Sequence, residues 1–391
     1  MKILFLSYYF TPDLSAGSFR NSTLFSELRS QLTSEDFVHV ITTIPNRYGS
    51  YSAECQQYEE GENYRIDRLT VPKHTSGMIE QAKVFVSYYK GVLHLVRHEH
   101  YDMVYASSSK LFTAFLGRRL ANKFHCPLYL DIRDIFVDTI KDIFKDNKVI
   151  QLPAVWLLGL VERYTFSAAT HINLISGGFK RYFAKYTKPK FSEFPNGIDD
   201  IFIEAGKIPS ILPTKPYYIT YAGNIGQGQG LEKIVPDVAL RLGDDYRFRI
   251  IGDGGTRKLL EETLATKNVK NVELCSPVPR EELIKYYRDS TFLFFHLNDL
   301  EAFKKVLPSK MFEYGAFDKP IIAGVSGYAS EFVKANIPNH ILFNPTDVDD
   351  MVKQIQQYQL HFERREDFIH AFARRSINQK MAESIIHVGK Q

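Results

Sequence analysis

The sequence contains little cysteine: Cys55, Cys126 and Cys275 are the only three in 391 residues. They are scattered and odd in number, so they form neither a disulfide framework nor a zinc-ligand spacing. The histidines form no H-E-x-x-H motif either. We therefore predict no metal site, no cofactor and a reducing, cytoplasmic environment.

Long hydrophobic runs and a strong charge imbalance are also absent. The longest apolar run, Pro153 to Val161, is too short to cross a bilayer. Met1 leads directly into an apolar strand, so we expect no secretory leader. A net charge of +4 argues against a nucleic-acid partner. Any membrane contact should then be peripheral.

The length of 391 residues predicts two domains. Apolar strand-like runs alternate with helical stretches through both halves, which indicates α/β domains with parallel, doubly wound sheets. Gly206 to Pro216 contains three prolines and is the best candidate for a linker. We predict an N-terminal domain over 1–205 and a C-terminal domain over 206–363.

The most informative stretch is Leu307 to Gly315, with the sequence LPSKMFEYG. Pro308 suits the first turn of a helix, whose free N–H groups and positive dipole end favour an anion. Lys310 adds a full charge there. Glu313 follows Ser309 by one turn and can bind the ribose of a nucleotide. An ordinary capped helix with a surface acid explains the same residues equally well.

Two glycine-rich loops follow consecutive strands of the second half. The first runs from Gly223 to Gly230 and the second contains Gly252, Asp253 and Gly254. Such loops can bring backbone N–H groups close to a phosphate. Ligands of open α/β sheets bind at the carboxyl ends of the strands, so we expect these loops and the Pro308 helix to converge.

The order of several motifs resembles one enzyme family. SYYFTPDLSAGSFR, LDIRDIFVD, FPNGID, YAGNIGQGQGL, IIGDGG and LPSKMFEYGAFDKPIIA together resemble family 4 glycosyltransferases of the GT-B fold, especially the bacterial O-antigen and capsule branch that transfers N-acetylfucosamine-type sugars. The resemblance implies two Rossmann-like domains facing across a cleft, and a last helical segment over about 364–391 that packs back on the first domain. It also implies metal-independent, retaining transfer from a nucleotide-sugar, with UDP as the expected nucleotide, to a lipid-linked saccharide.

The resemblance assigns residues and also shows departures. Glu313 matches the second acid of the family's E-x7-E motif, but Lys305 stands in place of the first. Asn224 and Gln229 stand where an arginine and a lysine commonly bind the diphosphate. Lys310, together with Lys304 or Lys305, is the hypothetical replacement for that charge.

In the first half, Gly17 matches the glycine that approaches the donor. Arg133 replaces the histidine of the family's His-Asp pair, next to a matching Asp134. Arg133 can stabilise the leaving group by its charge, and a structural salt bridge to an acid is the alternative. The predicted catalytic residues are Arg133, Asp134 and Lys310. The predicted donor-binding residues are Gly17, Gly223, Asn224, Gly226, Gln229, Gly252, Asp253, Val278, Lys305, Pro308, Ser309, Lys310 and Glu313.

The sequence also leaves some alternatives open. Glu80 to His100 and Phe179 to Lys190 mix aromatic and basic residues, which suits either an anionic membrane surface or a core helix with a basic edge. Trp156, Leu157 and Leu158 are predicted to lie in the core. A GT-B nucleotide-sugar epimerase and a non-catalytic sugar-nucleotide-binding module are the alternative functions.

Overall fold

The computed structural model describes residues 1–46, 54–72, 78–108 and 111–391. Its backbone divides into two compact units. Unit 1 comprises Met1–Asn196 and Arg375–Gln391, and unit 2 comprises Gly197–Arg374. Each unit is an α/β domain with its own sheet.

Unit 1 contains an eight-stranded sheet among its described residues, in the order β3-β4-β2-β1-β5-β6-β7-β8. All neighbours are parallel except the pair β3–β4. The central strands are buried along their length, which explains their continuous apolar sequences. The strands are β1 (Lys2–Ser7), β2 (Phe37–Thr43), β3 (Tyr58–Gly61), β4 (Tyr64–Leu69), β5 (Met103–Ser108), β6 (Leu128–Ile132), β7 (His171–Leu174) and β8 (Lys190–Ser192).

Helices of unit 1 connect these strands. They are α1 (Ala16–Gln31), α2 (Met78–Leu95), α3 (Leu111–Phe124), α4 (Phe136–Ile143), α5 (Lys148–Phe166) and α6 (Lys180–Phe183). Helix α1 buries Leu24 and Leu28 against the sheet, as their four-residue spacing predicts.

Unit 2 contains a six-stranded parallel sheet in the order β11-β10-β9-β12-β13-β14. The apolar runs of the sequence predict six strands here, and each predicted end agrees with the structure to within one residue. The predicted strands are Tyr217–Ala222, Tyr246–Ile251, Val272–Ser276, Phe292–His296, Pro320–Ala323 and Ile341–Phe343. The strands are β9 (Tyr217–Ala222), β10 (Tyr246–Ile251), β11 (Val272–Cys275), β12 (Phe292–His296), β13 (Ile321–Gly324) and β14 (His340–Phe343). The chain order changes direction at β9, which is the usual place for a ligand in such sheets.

The helices of the second half begin before the strands of unit 2. They are α7 (Asp200–Gly206), α8 (Val235–Leu242), α9 (Arg257–Thr266), α10 (Arg280–Asp289), α11 (Ser309–Gly315), α12 (Tyr328–Asn336), α13 (Val348–Gln357), α14 (Glu366–Phe372) and α15 (Arg374–Gly389). Helix α7 lies in unit 2, where Phe202 belongs to the core, so the unit begins at Gly197 and before the proline-rich segment.

The charges between Arg364 and Lys380 predict one solvated helix face, but the structure differs from this prediction. Helices α14 and α15 are separate, and Phe368 and Ile369 are buried in unit 2. Arg365 is also buried, and the hydrogen bonds that it donates to the carbonyls of Phe317 and Lys319 compensate for its lost hydration. Phe368 and Ile369 lie within a stretch of charged residues, so the sequence alone did not indicate that they are buried.

The prediction that Trp156 and Leu157 lie in the core is wrong. Trp156 is 66% exposed and Leu157 is 57% exposed, and Leu158 is half-buried. Both exposed residues lie on the outer face of α5. Among the described residues, no helix combines the length and the apolar character needed to cross a membrane.

Helix α15 packs on unit 1 through Met381, Ile385 and Val388, which share a core with Phe5. We expect I385A to lower the free energy of unfolding by about 2–5 kcal/mol, because it leaves a cavity in a packed core. The matched variant I386A should cost less, because Ile386 is only partly buried. Urea unfolding of both variants measures the difference. Equal losses would show that α15 is not held through this face.

Candidate functional site

The two glycine loops of unit 2 pack against each other through their backbones. Strands β9 and β10 end in register, with Ala222 beside Ile251, and the N–H of Gly223 donates to the Ile251 carbonyl at 2.9 Å. A Cβ on Gly252 would lie 1.8 Å from the carbonyl oxygen of Gly223. A Cβ on Gly254 would lie 2.4 Å from the carbonyl oxygen of Ile225. Both positions have positive φ, so this close loop–loop contact requires glycine there.

The first loop closes with a polar side-chain pair. The amide of Asn224 donates to the amide oxygen of Gln229 at 2.7 Å. The Tyr221 hydroxyl donates to the carbonyl of Asn224 at 2.6 Å and fixes the start of the loop. A Cβ on Gly226 would lie 2.4 Å from the Asn224 amide nitrogen, so this pair fills the inside of the turn. The two residues that replace the family's cations therefore bind each other.

Helix α11 is positioned against the same loop. It begins at Ser309, one residue later than predicted, and Pro308 precedes it in an extended conformation. Met311 and Phe312 anchor the helix in the core. The Tyr314 hydroxyl accepts the N–H of Ala222 at 3.0 Å, which joins the end of β9 to the helix.

Lys310 and Glu313 lie on the side of α11 next to Gly223. The Cε of Lys310 is 3.3 Å from the position of a Cβ on Gly223. Lys310 Nζ donates to Glu313 Oε2 at 2.8 Å, and the Tyr287 hydroxyl donates to the same oxygen at 3.3 Å. The structure thus brings Gly223, Lys310 and Glu313 together, as the sequence predicts.

Glu313 is a buried carboxylate in a cationic environment. Burial alone would raise its pKa, but the charges of Lys310, Arg280 and Arg374 hold the pKa below its usual range. Arg280 and Arg374 both also pair with Asp199. Sequence reasoning missed Tyr287 and Arg280, which come from α10 and belong to no motif.

The remaining predicted donor-binding residues of unit 2 are more dispersed. Lys305 ends a 3-10 turn and is half-buried, whereas Lys304 pairs with Asp299 and Glu301. The Asp253 carboxylate accepts the N–H of Gly254 at 2.8 Å. Val278 packs against the core.

Unit 1 has a second polar cluster, at the carboxyl ends of β1 and β6. Ser15 caps α1 by accepting the N–H of Ser18 at 3.1 Å. A Cβ on Gly17 would lie 2.4 Å from Nη1 of Arg133, so the guanidinium lies directly against the first turn of α1. Gly17, a predicted donor-binding residue, and Arg133, a predicted catalytic residue, are therefore neighbours. Asp134 is exposed.

Asp131, two residues before Arg133 in the sequence, is already paired with another arginine, Arg20. Asp131 forms a fully buried, two-pronged pair with Arg20, at 2.9 and 3.0 Å, and also accepts the Asn173 amide at 2.7 Å. Burial lowers the pKa of Arg133, and Asp131 counteracts this in part. Among the described residues, Nε and Nη1 of Arg133 have no hydrogen-bond partner. These two donors are suited to an anionic or hydroxyl-rich ligand.

The fold defines the class of protein. Sucrose-phosphate synthase from Thermosynechococcus elongatus aligns over 99% of this chain and 99% of its own, with a TM-score of 0.76 and 13% identity. HepE from Anabaena, in complex with UDP and glucose, aligns over 99% and 100% with a TM-score of 0.67 and 13% identity. The chain has the GT-B fold, with two Rossmann-like domains built on parallel sheets.

A comparison with protein families finds a match within the second half of the chain. Residues 204–375 are similar to the family of Glycosyl transferases group 1. The putative colanic acid biosynthesis glycosyl transferase WcaI of Escherichia coli K12 is 33% identical over 88 residues, which cover 22% of this chain and 21% of WcaI. The chain therefore aligns with about a fifth of the length of that relative.

The low pKa of Glu313 predicts a pH dependence of stability. Its pKa is lower in the folded than in the unfolded protein, so its contribution is complete above the unfolded pKa and is lost as pH falls through the folded pKa. We expect the melting temperature of the wild type to fall more steeply below about pH 4.5 than that of E313Q. Differential scanning calorimetry between neutral and acidic pH measures both. Parallel curves would contradict the ion pair.

Proposed function

We propose that this protein is a retaining glycosyltransferase. It takes a sugar, an N-acetylated hexosamine or deoxyhexosamine, from a nucleotide-diphosphate donor that is most simply UDP-linked. It transfers that sugar to a lipid-linked saccharide during surface-polysaccharide (O-antigen or capsule) assembly. The observation that carries the proposal is the contact of Gly223, Lys310 and Glu313 at one sheet edge of a Glycosyl transferases group 1 domain.

The chemistry of this cluster suits a nucleoside diphosphate. Lys310 is partly exposed, at 21%, and supplies a cation for the diphosphate beside a loop that presents backbone groups. The positive charges around Glu313 keep its pKa low, so its ionised carboxylate can accept hydrogen bonds from the hydroxyls of a ribose. The Glu313 pair holds Lys310 in place before the donor arrives, which reduces the entropy lost on binding.

Two relatives support the choice of substrates. HepE was crystallised with UDP and glucose, and WcaI is described as a colanic acid biosynthesis enzyme. By analogy we assign a UDP-linked donor and a polysaccharide product to this chain. The acceptor would be held by unit 1, as the family resemblance implies.

The reaction needs positioning and charge stabilisation more than acid–base catalysis. Breaking the bond from the sugar to the diphosphate leaves negative charge on the phosphate oxygen, and nearby cations stabilise that charge. Lys310 and Arg133 are the proposed cations, acting without a metal ion. The acceptor hydroxyl bonds to the anomeric carbon on the face that the diphosphate leaves, and its proton passes to the departing phosphate.

A second function, a non-catalytic nucleotide-sugar-binding module, is favoured by one observation. Asn224 and Gln229 are uncharged and bind each other where the family places two cations. Incubation with a panel of nucleotide-sugars separates the alternatives. Slow release of nucleotide diphosphate without acceptor supports a transferase, an epimerised sugar supports an epimerase, and binding without turnover supports the module.

Lys310 provides the sharpest test of donor binding. We expect K310M to raise the Kd of the nucleotide diphosphate by roughly 10- to 100-fold, because a charge-assisted hydrogen bond to phosphate is lost. Isothermal titration calorimetry measures the change. K353M, at an exposed position of α13, is the matched control and should bind normally. If K310M leaves Glu313 unpaired and unfolds, K310M/E313Q removes both charges. An unchanged Kd in a folded variant would reject this role.

Arg133 should act on the rate. We expect R133Q to reduce kcat by roughly 100- to 1,000-fold, with little change in the Kd of the nucleotide, because a preorganised cation is removed. A steady-state assay of nucleotide release measures kcat, and R97Q, at an exposed position just after α2, serves as the control. A kcat within about twofold of the wild type would assign Arg133 to structure alone.

A further inference from the structure

Exposed apolar side chains are concentrated on one helical segment of unit 1. Eight of the sixteen large apolar residues that are exposed among the described residues lie between positions 143 and 164. Leu152, Trp156 and Leu160 recur every four residues of α5 and are 65%, 66% and 46% exposed. They form one continuous stripe on the outer face. The others are Ile143, Val149, Ile150, Leu157 and Tyr164.

The inner face of α5 is more polar than its outer face. Of the four buried residues of α5, Gln151, Glu162 and Thr165 are polar and Phe166 is apolar. The Gln151 amide donates a hydrogen bond to the carbonyl of Lys141 at 2.6 Å, and the Glu162 carboxylate accepts a hydrogen bond from the hydroxyl of Tyr182. A helix that turns its polar side inward and its leucines outward is the reverse of an ordinary surface helix. Such an apolar patch indicates an apolar contact.

The charges around this stripe are mostly positive. Between residues 141 and 165, all of which are described, Asp146 is the only exposed acid. The exposed cations in the same range are Lys141, Lys145, Lys148 and Arg163. On the neighbouring helix α3, the guanidinium of Arg118 lies 5.5 Å from the centre of the Tyr164 ring. An apolar stripe with a basic border complements an anionic, apolar surface.

We propose that the outer face of α5 docks in the plane of an anionic lipid bilayer. The leucines enter the acyl boundary, the basic residues contact the headgroups, and Trp156 and Tyr164 occupy the interface between them. This surface is independent of the proposed transferase activity, since binding to vesicles needs no sugar donor.

The two segments that the sequence leaves open between a membrane surface and a core helix are less suitable. In Phe179 to Lys190, the apolar rings of Phe179, Phe183 and Tyr186 are buried, which leaves mainly basic residues outside. In α2, Val84, Tyr88 and Val92 are buried, and Val86 alone among its large apolar residues with described side chains is strongly exposed, at 50%. The side chains of residues 78–81 lie outside the described set.

The single tryptophan of the chain makes the test direct, because all tryptophan fluorescence comes from Trp156. The full chain is mixed with phosphatidylcholine vesicles that contain about 30% phosphatidylglycerol. We expect co-sedimentation and a blue shift of the emission, and quenching by brominated lipid should place the ring near the interface. Vesicles of phosphatidylcholine alone should bind more weakly.

Paired variants decide whether α5 carries the contact. We expect L152E/L160E to weaken vesicle partitioning about tenfold or more, since it places two charges in the apolar boundary. The control L240E/L259E changes two leucines of unit 2 with comparable exposure, 46% and 49%, and should bind like the wild type. Circular dichroism establishes that each variant is folded.

Several outcomes would overturn the proposal. Equal binding of L152E/L160E and the wild type would place the contact elsewhere, as would binding without a change in Trp156 emission. Absence of vesicle binding, together with a dimer in light scattering that L152E/L160E dissociates, would assign the stripe to a second copy of the chain. Absence of both would exclude a bilayer as its occupant.

Discussion

The backbone contact between the two glycine loops of unit 2 is the constraint on which the candidate donor site depends. The Gly223 carbonyl occupies the space that a Cβ of Gly252 would need, and the Ile225 carbonyl does the same for Gly254. Any side chain at either glycine would push the loops apart. Because the Tyr314 hydroxyl binds the N–H of Ala222, the same constraint also fixes α11, and with it Lys310, against the first loop.

This arrangement changes what the glycines mean. From the sequence they predict loops that approach a phosphate. In the structure, Gly252 and Gly254 allow the two loops to pack closely against each other. A ligand would bind to the surface that the packed loops form. The two explanations are compatible, since a rigid loop with fixed N–H groups loses less entropy when an anion binds.

Much of the fold could be predicted because parallel strands are short apolar runs separated by glycine and helical segments. The six strands of unit 2 follow this pattern closely. Strands β3 and β8 were missed because Tyr58–Gly61 and Lys190–Ser192 lie at the edges of the sheet and are largely exposed and polar. Trp156 was misplaced for the converse reason: an apolar run shows that a helix has an apolar face, but not which face the rest of the protein covers.

The candidate site was predictable only in part. Gly223, Lys310 and Glu313 lie in motifs that could be recognised, and strand order brings them together. Tyr287 and Arg280 reach Glu313 from α10 because of tertiary packing, and no local pattern marks them. The Lys310–Glu313 pair was also missed, although a spacing of three residues on a helix permits it.

The two predicted catalytic cations differ in whether a carboxylate pairs with them. Lys310 has a carboxylate partner of its own, whereas Asp131, the carboxylate with the largest electrostatic effect on Arg133, is paired with Arg20. A paired cation gives up an existing interaction when a phosphate arrives, so its net gain in binding is reduced. A cation with open donors loses nothing comparable and gains the full interaction when negative charge develops nearby. On the basis of this difference we propose Lys310 for positioning of the ground-state donor and Arg133 for stabilisation of the transition state.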